Sequence, residues 1–263
     1  MSNPILLALF AGMFTWFITA LGAATVVFFK KVNQKTLNLM LGFSAVVMIA
    51  ASFWSLLEPA IEQAGILFSF PPCFLVCAGF LCGTIFIWLC DTIISKAEFS
   101  SFKSNKNLKR ITMLILSITF HNIPEGLAVG VAFGMLKQGE ITLTSLIAPF
   151  SIAFSIALQN FPEGAAVSLP LRREGFGLKK CFLLGQASAL VEPISAVLGA
   201  TLVMVSKSAL PFLLSFAAGT MILVAVHELI PESQQQKQSS PYFVTFGIIG
   251  GFTVMMLLDV LLG

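Results

Sequence analysis

Apolar residues run along this chain in eight long stretches, roughly 4–29, 38–57, 72–94, 111–136, 142–170, 181–205, 209–230 and 242–262, separated by short polar connections. Each is close to the 20 or so apolar residues that carry an α-helix across a bilayer. In hydrocarbon only helices and closed barrels satisfy their own backbone, and a barrel reads as short alternating segments. The pattern therefore predicts an all-α polytopic membrane protein with eight transmembrane helices and no separate soluble domain.

Composition agrees. Of 263 residues, 57% are hydrophobic and 10% charged, with mean hydropathy +0.95, whereas soluble domains are nearer a quarter charged. The net charge of +3 is too small to suggest nucleic acid as a partner. The chain begins without Lys or Arg before the first apolar run, so that run is expected to be a retained helix rather than a cleaved signal. Cys73, Cys77, Cys82, Cys90 and Cys181 all sit in or beside apolar runs and form no C-x-x-C pair; they read as small apolar filler.

Charge placement orients the chain. The connections after spans 1, 3, 5 and 7 hold Lys30, Lys31 and Lys35; Lys96, Lys103, Lys106, Lys109 and Arg110; Arg172, Arg173, Lys179 and Lys180; and Lys237. Of the 15 basic residues only Lys137 and Lys207 lie elsewhere. Basic connections stay in the cytoplasm, so both termini are expected outside the cell membrane, with 95–110 as the longest cytoplasmic loop.

Two internal similarities stand out. Spans 4 and 5 share H/Q-N-x-P-E-G-x-A-V, starting at His121 and at Gln159. Spans 2 and 7 align weakly at an offset of 173 residues, as in Phe43/Phe216, Met48/Met221 and Leu56/Leu229. Repeats flanking interrupted helices point to a transporter with its site near the midplane.

The chemistry lies within those repeats. On a helix His121, Asn122 and Glu125 share a face, offering imidazole, amide and carboxylate; Gln159, Asn160 and Glu163 repeat the set with an amide for the imidazole. Pro124 and Pro162 each lack the N–H that would bond the carbonyl four residues back. Glu192-Pro193 in span 6 adds a third acid, and His227-Glu228 closes span 7. One acid at the bilayer centre costs about 2.5–3.5 kcal/mol. Glu125, Glu163 and Glu192 have no Lys or Arg in the middle of their spans. They are either protonated or neutralised by a cation, and mixed carboxylate, imidazole and amide donors suit a divalent first-row metal such as Zn²⁺, Fe²⁺ or Mn²⁺. Gly126, Gly130 and Gly134 form a small-residue stripe that reads as helix packing. Two other readings are a proton-coupled carrier of another substrate and an intramembrane metalloprotease. The latter needs H-E-x-x-H, and here Pro231 stands in place of the second His.

The segments HNIPEGLAVGVAFG from His121, QNFPEGAAVSLPLRREG from Gln159, VEPISA from Val191 and HELIPES from His227 resemble the ZIP (Zrt-, Irt-like) divalent metal-ion transporters, specifically the GufA-type branch. The resemblance implies a 3+2+3 arrangement, in which spans 1–3 and 6–8 form an inverted repeat around spans 4 and 5. It implies a transporter rather than an enzyme, taking up zinc as substrate, with iron, manganese and cadmium as further candidates, by alternating access and without an organic cofactor. It implies a binuclear site of His121, Asn122, Glu125, Gln159, Asn160, Glu163 and Glu192, with Glu125 and Glu163 shared by both metals. Met48 matches a further ligand position, although a Met in a span is more often core. His227 and Glu228 become a transient exit site. A homodimer in the lipid bilayer is a further expectation. Asn160 departs from the Asp of some family members, and the loop after span 3 carries no His.

Overall fold

A computed structural model describes residues 3–28, 34–96, 106–136, 141–234 and 241–262. Lys30, Lys31, Lys137, Lys237 and much of the basic connection 95–110 lie outside the described residues.

All regular structure among the described residues is helical. The helices are α1 (Pro4–Ala24), α2 (Gln34–Ala51), α3 (Glu58–Leu67), α4 (Pro72–Lys96), α5 (Lys106–Gly134), α6 (Leu143–Arg173), α7 (Leu178–Ala187), α8 (Val191–Val205), α9 (Leu210–Val224), α10 (Ile230–Gln234) and α11 (Pro241–Leu262). A wide π segment, Ser52–Leu57, joins α2 to α3, and another, Ala225–Leu229, joins α9 to α10. Among the described residues six stretches are long and apolar enough to cross a membrane: Pro4–Val27, Lys35–Leu67, Pro72–Ile93, Leu143–Arg172, Leu178–Val205 and Lys207–Gln234. Helices α5 and α11 are not among those six; α11 contributes the shorter apolar stretch Tyr242–Leu258. The α2–α3 run extends to Leu67, beyond the sequence expectation of 57.

Local sequence explains the interruption between α7 and α8. Pro193 has no N–H to give the carbonyl of Ala189, four residues back. That carbonyl accepts instead from the Glu192 N–H at 3.0 Å, a tighter i to i+3 bond. Helix α8 therefore starts at Val191, with Glu192 in its first turn. Helices α5 and α6 stay helical through Pro124 and Pro162.

The surface is built for lipid. Phe10, Phe14, Phe74, Trp88, Ile194 and Phe246 are all exposed, an arrangement water would penalise by about 25 cal/mol per Å² of apolar area. The α4 span is peripheral, with 22% of its apolar window buried, against 67% for the α2–α3 run.

Helix pairing obeys one exchange rule. The most extensive contacts are α5 with α8, α1 with α6, α4 with α9 and α2 with α11. Swapping α1 with α8, α2 with α9, α4 with α11 and α5 with α6 turns each pair into another pair. The register follows too. Gly126 abuts the backbone of Glu192, and Gly164 abuts that of Thr19; Gly83 abuts Phe216, and Gly251 abuts Phe43. Thr19 and Glu192, like Phe43 and Phe216, are 173 residues apart, the offset seen in the sequence. The two π segments begin at Ser52 and Ala225, again that offset. The weak likeness of spans 2 and 7 is thus a structural correspondence.

Small residues permit these approaches. Gly126, Gly130 and Gly134 face Glu192, Ala196 and Ala200 of α8, where an added Cβ would collide with backbone. Between membrane helices such contact, rather than hydrophobic expulsion from water, drives association. A Gly130→Val substitution, whose Cβ would overlap the Ala196 carbonyl, is expected to destabilise by about 3 kcal/mol or more. Gly250→Ala, with nothing within 4 Å, is expected to stay within about 0.5 kcal/mol of the parent. Thermal unfolding in detergent, read by loss of the monodisperse fraction, compares the two.

Candidate metal site

Helix α5 supplies Asn122 and Glu125, α6 supplies Gln159, Asn160 and Glu163, and α8 supplies Glu192. All six side chains are buried, none more than 4% exposed. The Gly126 contact with the Glu192 backbone brings the α5 and α8 members together, and the α5–α6 packing brings in the rest.

The hydrogen bonds have a consistent sense. Asn122 Nδ2 donates to the Ser188 carbonyl at 3.0 Å, in the interruption between α7 and α8. Its counterpart Asn160 donates from Nδ2 to the Thr15 carbonyl at 3.5 Å and to both carboxylate oxygens of Glu192 at 2.9 Å. Gln159 Nε2 donates to Glu125 Oε1 at 2.8 Å. Ser44 Oγ donates to the Gln159 carbonyl at 3.2 Å and to Glu163 Oε1 at 3.4 Å. Each amide nitrogen thus donates to at least one protein acceptor. What remains is oxygen: Asn122 Oδ1, Glu125 Oε2, Gln159 Oε1 and Asn160 Oδ1 are buried and accept no hydrogen bond.

Leaving a buried acceptor unmet costs about 1–3 kcal/mol each, and native structures rarely do so. Three open amide oxygens beside three acids, one of which also keeps an open oxygen, with no Lys or Arg in the middle of those spans, form a concentration of lone pairs suited to a cation. The donor chemistry suits a divalent ion that accepts carboxylate and amide oxygen.

His121 stands apart. Its Nε2 lies 3.5 Å from Glu228 Oε1 in the second π segment. Asp91 of α4 joins them, and one ligand atom from each of the three lies within 4.8 Å of the others. Glu228 also lines a cavity of about 230 Å³ with His227, Glu232, Leu37, Ile118 and Pro170. Met48 is packed in the hydrophobic core. The structure therefore gathers six of the seven expected transport-site residues and groups His121 with Glu228 of the expected exit pair.

Three contributors were not foreseen. Ser44 and Thr15 are single hydroxyl residues in apolar helices and carry no distinguishing pattern. Asp91 had a signal, being an acid inside the third apolar run; that alone marks an intramembrane residue for attention.

Comparison with known proteins gives the family. Residues 102–259 match the sequence profile described as ZIP Zinc transporter. Zinc transporter ZIP11 of Homo sapiens is 35% identical over 346 residues, covering 99% of this chain and 98% of the relative. Zinc transporter ZIPB of Bordetella bronchiseptica is 34% identical over 252 residues, 93% of this chain and 78% of the relative. Zinc transporter GufA of Myxococcus xanthus is 32% identical over 251 residues, 93% and 94% respectively, in keeping with a GufA-type branch. With the profile spanning more than half of the sequence and these relatives aligned along nearly all of it, the chain belongs to the ZIP zinc transporter family.

Proposed function

We propose that this protein carries zinc into the cytoplasm through the α5–α6–α8 cluster. The observation that carries the reading is the set of four buried oxygens, on Asn122, Glu125, Gln159 and Asn160, that no protein donor meets. Zinc enters from outside, sheds most of its water, and takes these oxygens with the carboxylates of Glu125, Glu163 and Glu192. It leaves toward His227 and Glu228, which line a cavity. The same donors accept Fe²⁺, Mn²⁺ and Cd²⁺, since selectivity among such ions depends on ligand type and geometry rather than on raw affinity. The family setting makes the chain a transporter, not an enzyme.

The proposed layout is eight spans in the cell membrane, arranged 3+2+3 as an inverted repeat, with both termini extracytoplasmic. The exchange rule among helix pairs supports the repeat, and the placement of Lys and Arg supports the orientation. Alternating access by one repeat moving against the other follows from such a design.

Two metals sharing Glu125 and Glu163 form the full site. Asn160 weakens the second position, because its amide already holds both oxygens of Glu192. A metal there must displace that donor, and it gains a neutral oxygen rather than a charge.

Zinc uptake by proteoliposomes tests the reading. Glu125→Ala with Glu163→Ala is expected to lower initial flux by about a hundredfold or more, the loss of two charged ligands reaching or exceeding the upper end of the roughly 10–100-fold typical of outer-shell changes. Flux equal to the parent would falsify the site assignment. Asn160→Asp is expected to raise bound zinc toward two ions per chain, read by metal analysis of the purified protein at saturating zinc.

A further inference from the structure

We propose that the groove between α1, α2 and α6 binds one acyl chain of a phospholipid of the cytoplasmic leaflet, with Lys35 at the headgroup phosphate. The inference goes beyond the transport reading and shares with it only the orientation that puts Lys35 at the cytoplasmic face.

The groove is a recess of about 480 Å³. Of its lining residues, Phe14, Phe154 and Phe161 are exposed and Ile18, Met40 and Phe43 are half-buried. Every lining side chain is apolar. A metal ion finds no ligand there, and a water molecule needs roughly 2–4 polar partners. Left empty, the walls forgo dispersion contacts on one side. The three helices belong to stretches long and apolar enough to cross a membrane, Pro4–Val27, Lys35–Leu67 and Leu143–Arg172. The groove is continuous with the lipid-facing surface that carries Phe10 and Phe14. What lies against that surface is hydrocarbon, and a flexible chain follows a recess between three helices more closely than a rigid helix can.

Length and charge assign the leaflet. Along the groove α6 runs from Phe154 to Pro162, about 12 Å at 1.5 Å per residue. The hydrocarbon of one leaflet is about 15 Å deep, half of the bilayer core. A second groove, of about 590 Å³ and reaching Leu7 and Leu143, shares Phe14 and Phe154 with the first. It follows α6 for roughly 17 Å toward the outer face. The two shared rings therefore stand where the leaflets meet, and the first groove belongs to the inner one. Lys35 is exposed and precedes Leu39 and Phe43 of the groove on one face of α2, at the helical spacing that aligns side chains. Its long stem lies along apolar surface while the ammonium reaches the phosphate level. Position gives the chain its effect. Phe161 and Pro162 of the groove stand between Asn160 and Glu163 in the sequence, and Ser44, beside Phe43, donates to Glu163. The acyl chain thus backs the turn of α6 that carries the metal-site residues, where α6 meets α2.

The test uses purified full-length protein in vesicles of phosphatidylethanolamine and phosphatidylglycerol, the latter including molecules with a photoactivatable group near the end of one chain. After illumination, mass spectrometry locates the cross-links. Labelling within 39–43 and 154–162 is expected to exceed that on the lipid-facing side of α4, at Phe74, Leu81 and Trp88, which no such groove receives. Ile18→Trp fills the groove from α1 and is expected to bring its labelling down to the α4 level, with α4 itself unchanged. Met40→Trp, filling it from α2, is expected to do the same. Lys35→Gln is expected to lower groove labelling about fivefold. Thermal unfolding confirms that each variant is folded. The site is refuted if groove and α4 are labelled equally in the parent, or if both tryptophan variants leave groove labelling unaltered. It is also refuted if Lys35→Gln has no effect, or if 39–43 and 154–162 cross-link to a second copy instead of lipid. Failure of the transport reading is a different result: the parent protein then moves no zinc in proteoliposomes, whatever the lipid labelling gives.

Discussion

Three carboxylates buried in spans with no Lys or Arg at their middles make the constraint from which the rest of this fold follows. In a medium of low dielectric their mutual repulsion is weakly screened, and Glu163 and Glu192 both act on Glu125. Protein donors reach one oxygen of Glu125, one of Glu163 and both of Glu192. These bonds orient the acids without neutralising them. On the proposed transport reading a cation completes the arrangement, with amides rather than more acids around it. An amide holds a neighbouring acceptor with its nitrogen and leaves its oxygen open. Gln159, Asn122 and Asn160 all have their nitrogen committed and their oxygen open.

The scaffold follows from placing such a cluster in lipid. Polar side chains from α5, α6 and α8 meet only if those helices approach closely; glycine at positions 126 and 130 permits it between α5 and α8, and Gly164 lets α6 lie against α1. The outer helices then need only apolar faces, so α4 presents Phe74, Leu81, Ile85 and Trp88 outward. Fold stability and site geometry therefore depend on the same backbone contacts.

Much of this was legible in the sequence. The helical spans follow from apolar length. The cluster follows from H-N-x-P-E-G and Q-N-x-P-E-G, because an acid at that depth is too costly to stand without a partner or a ligand. The small-residue stripe on α5 packs as its spacing implies. The placement of His121 was not legible. Helical spacing puts it on a face with Glu125, but its side chain meets Glu228, a partner 107 residues away whose direction is set by a π segment that no local motif announces. Ser44 and Thr15 were hidden for a similar reason. Their roles arise from tertiary neighbours, and neither local period nor composition reports those.

The glycine-to-carbonyl contacts have a mechanical consequence. Where backbone lies against backbone, no flexible side chain stands between two helices to absorb a displacement, and close packing transmits strain. The pairs α5–α8, α1–α6, α4–α9 and α2–α11 therefore have little room to slide, and the same holds for α1 against α8, where Gly12 lies against the backbone of Glu192 and Pro193. The Asn160–Glu192 and Gln159–Glu125 hydrogen bonds tie α6 to α8 and to α5 by side chains alone. On the proposed transport reading the ion binds among these side-chain ties, so its arrival and departure remake contacts that no glycine-to-backbone packing holds.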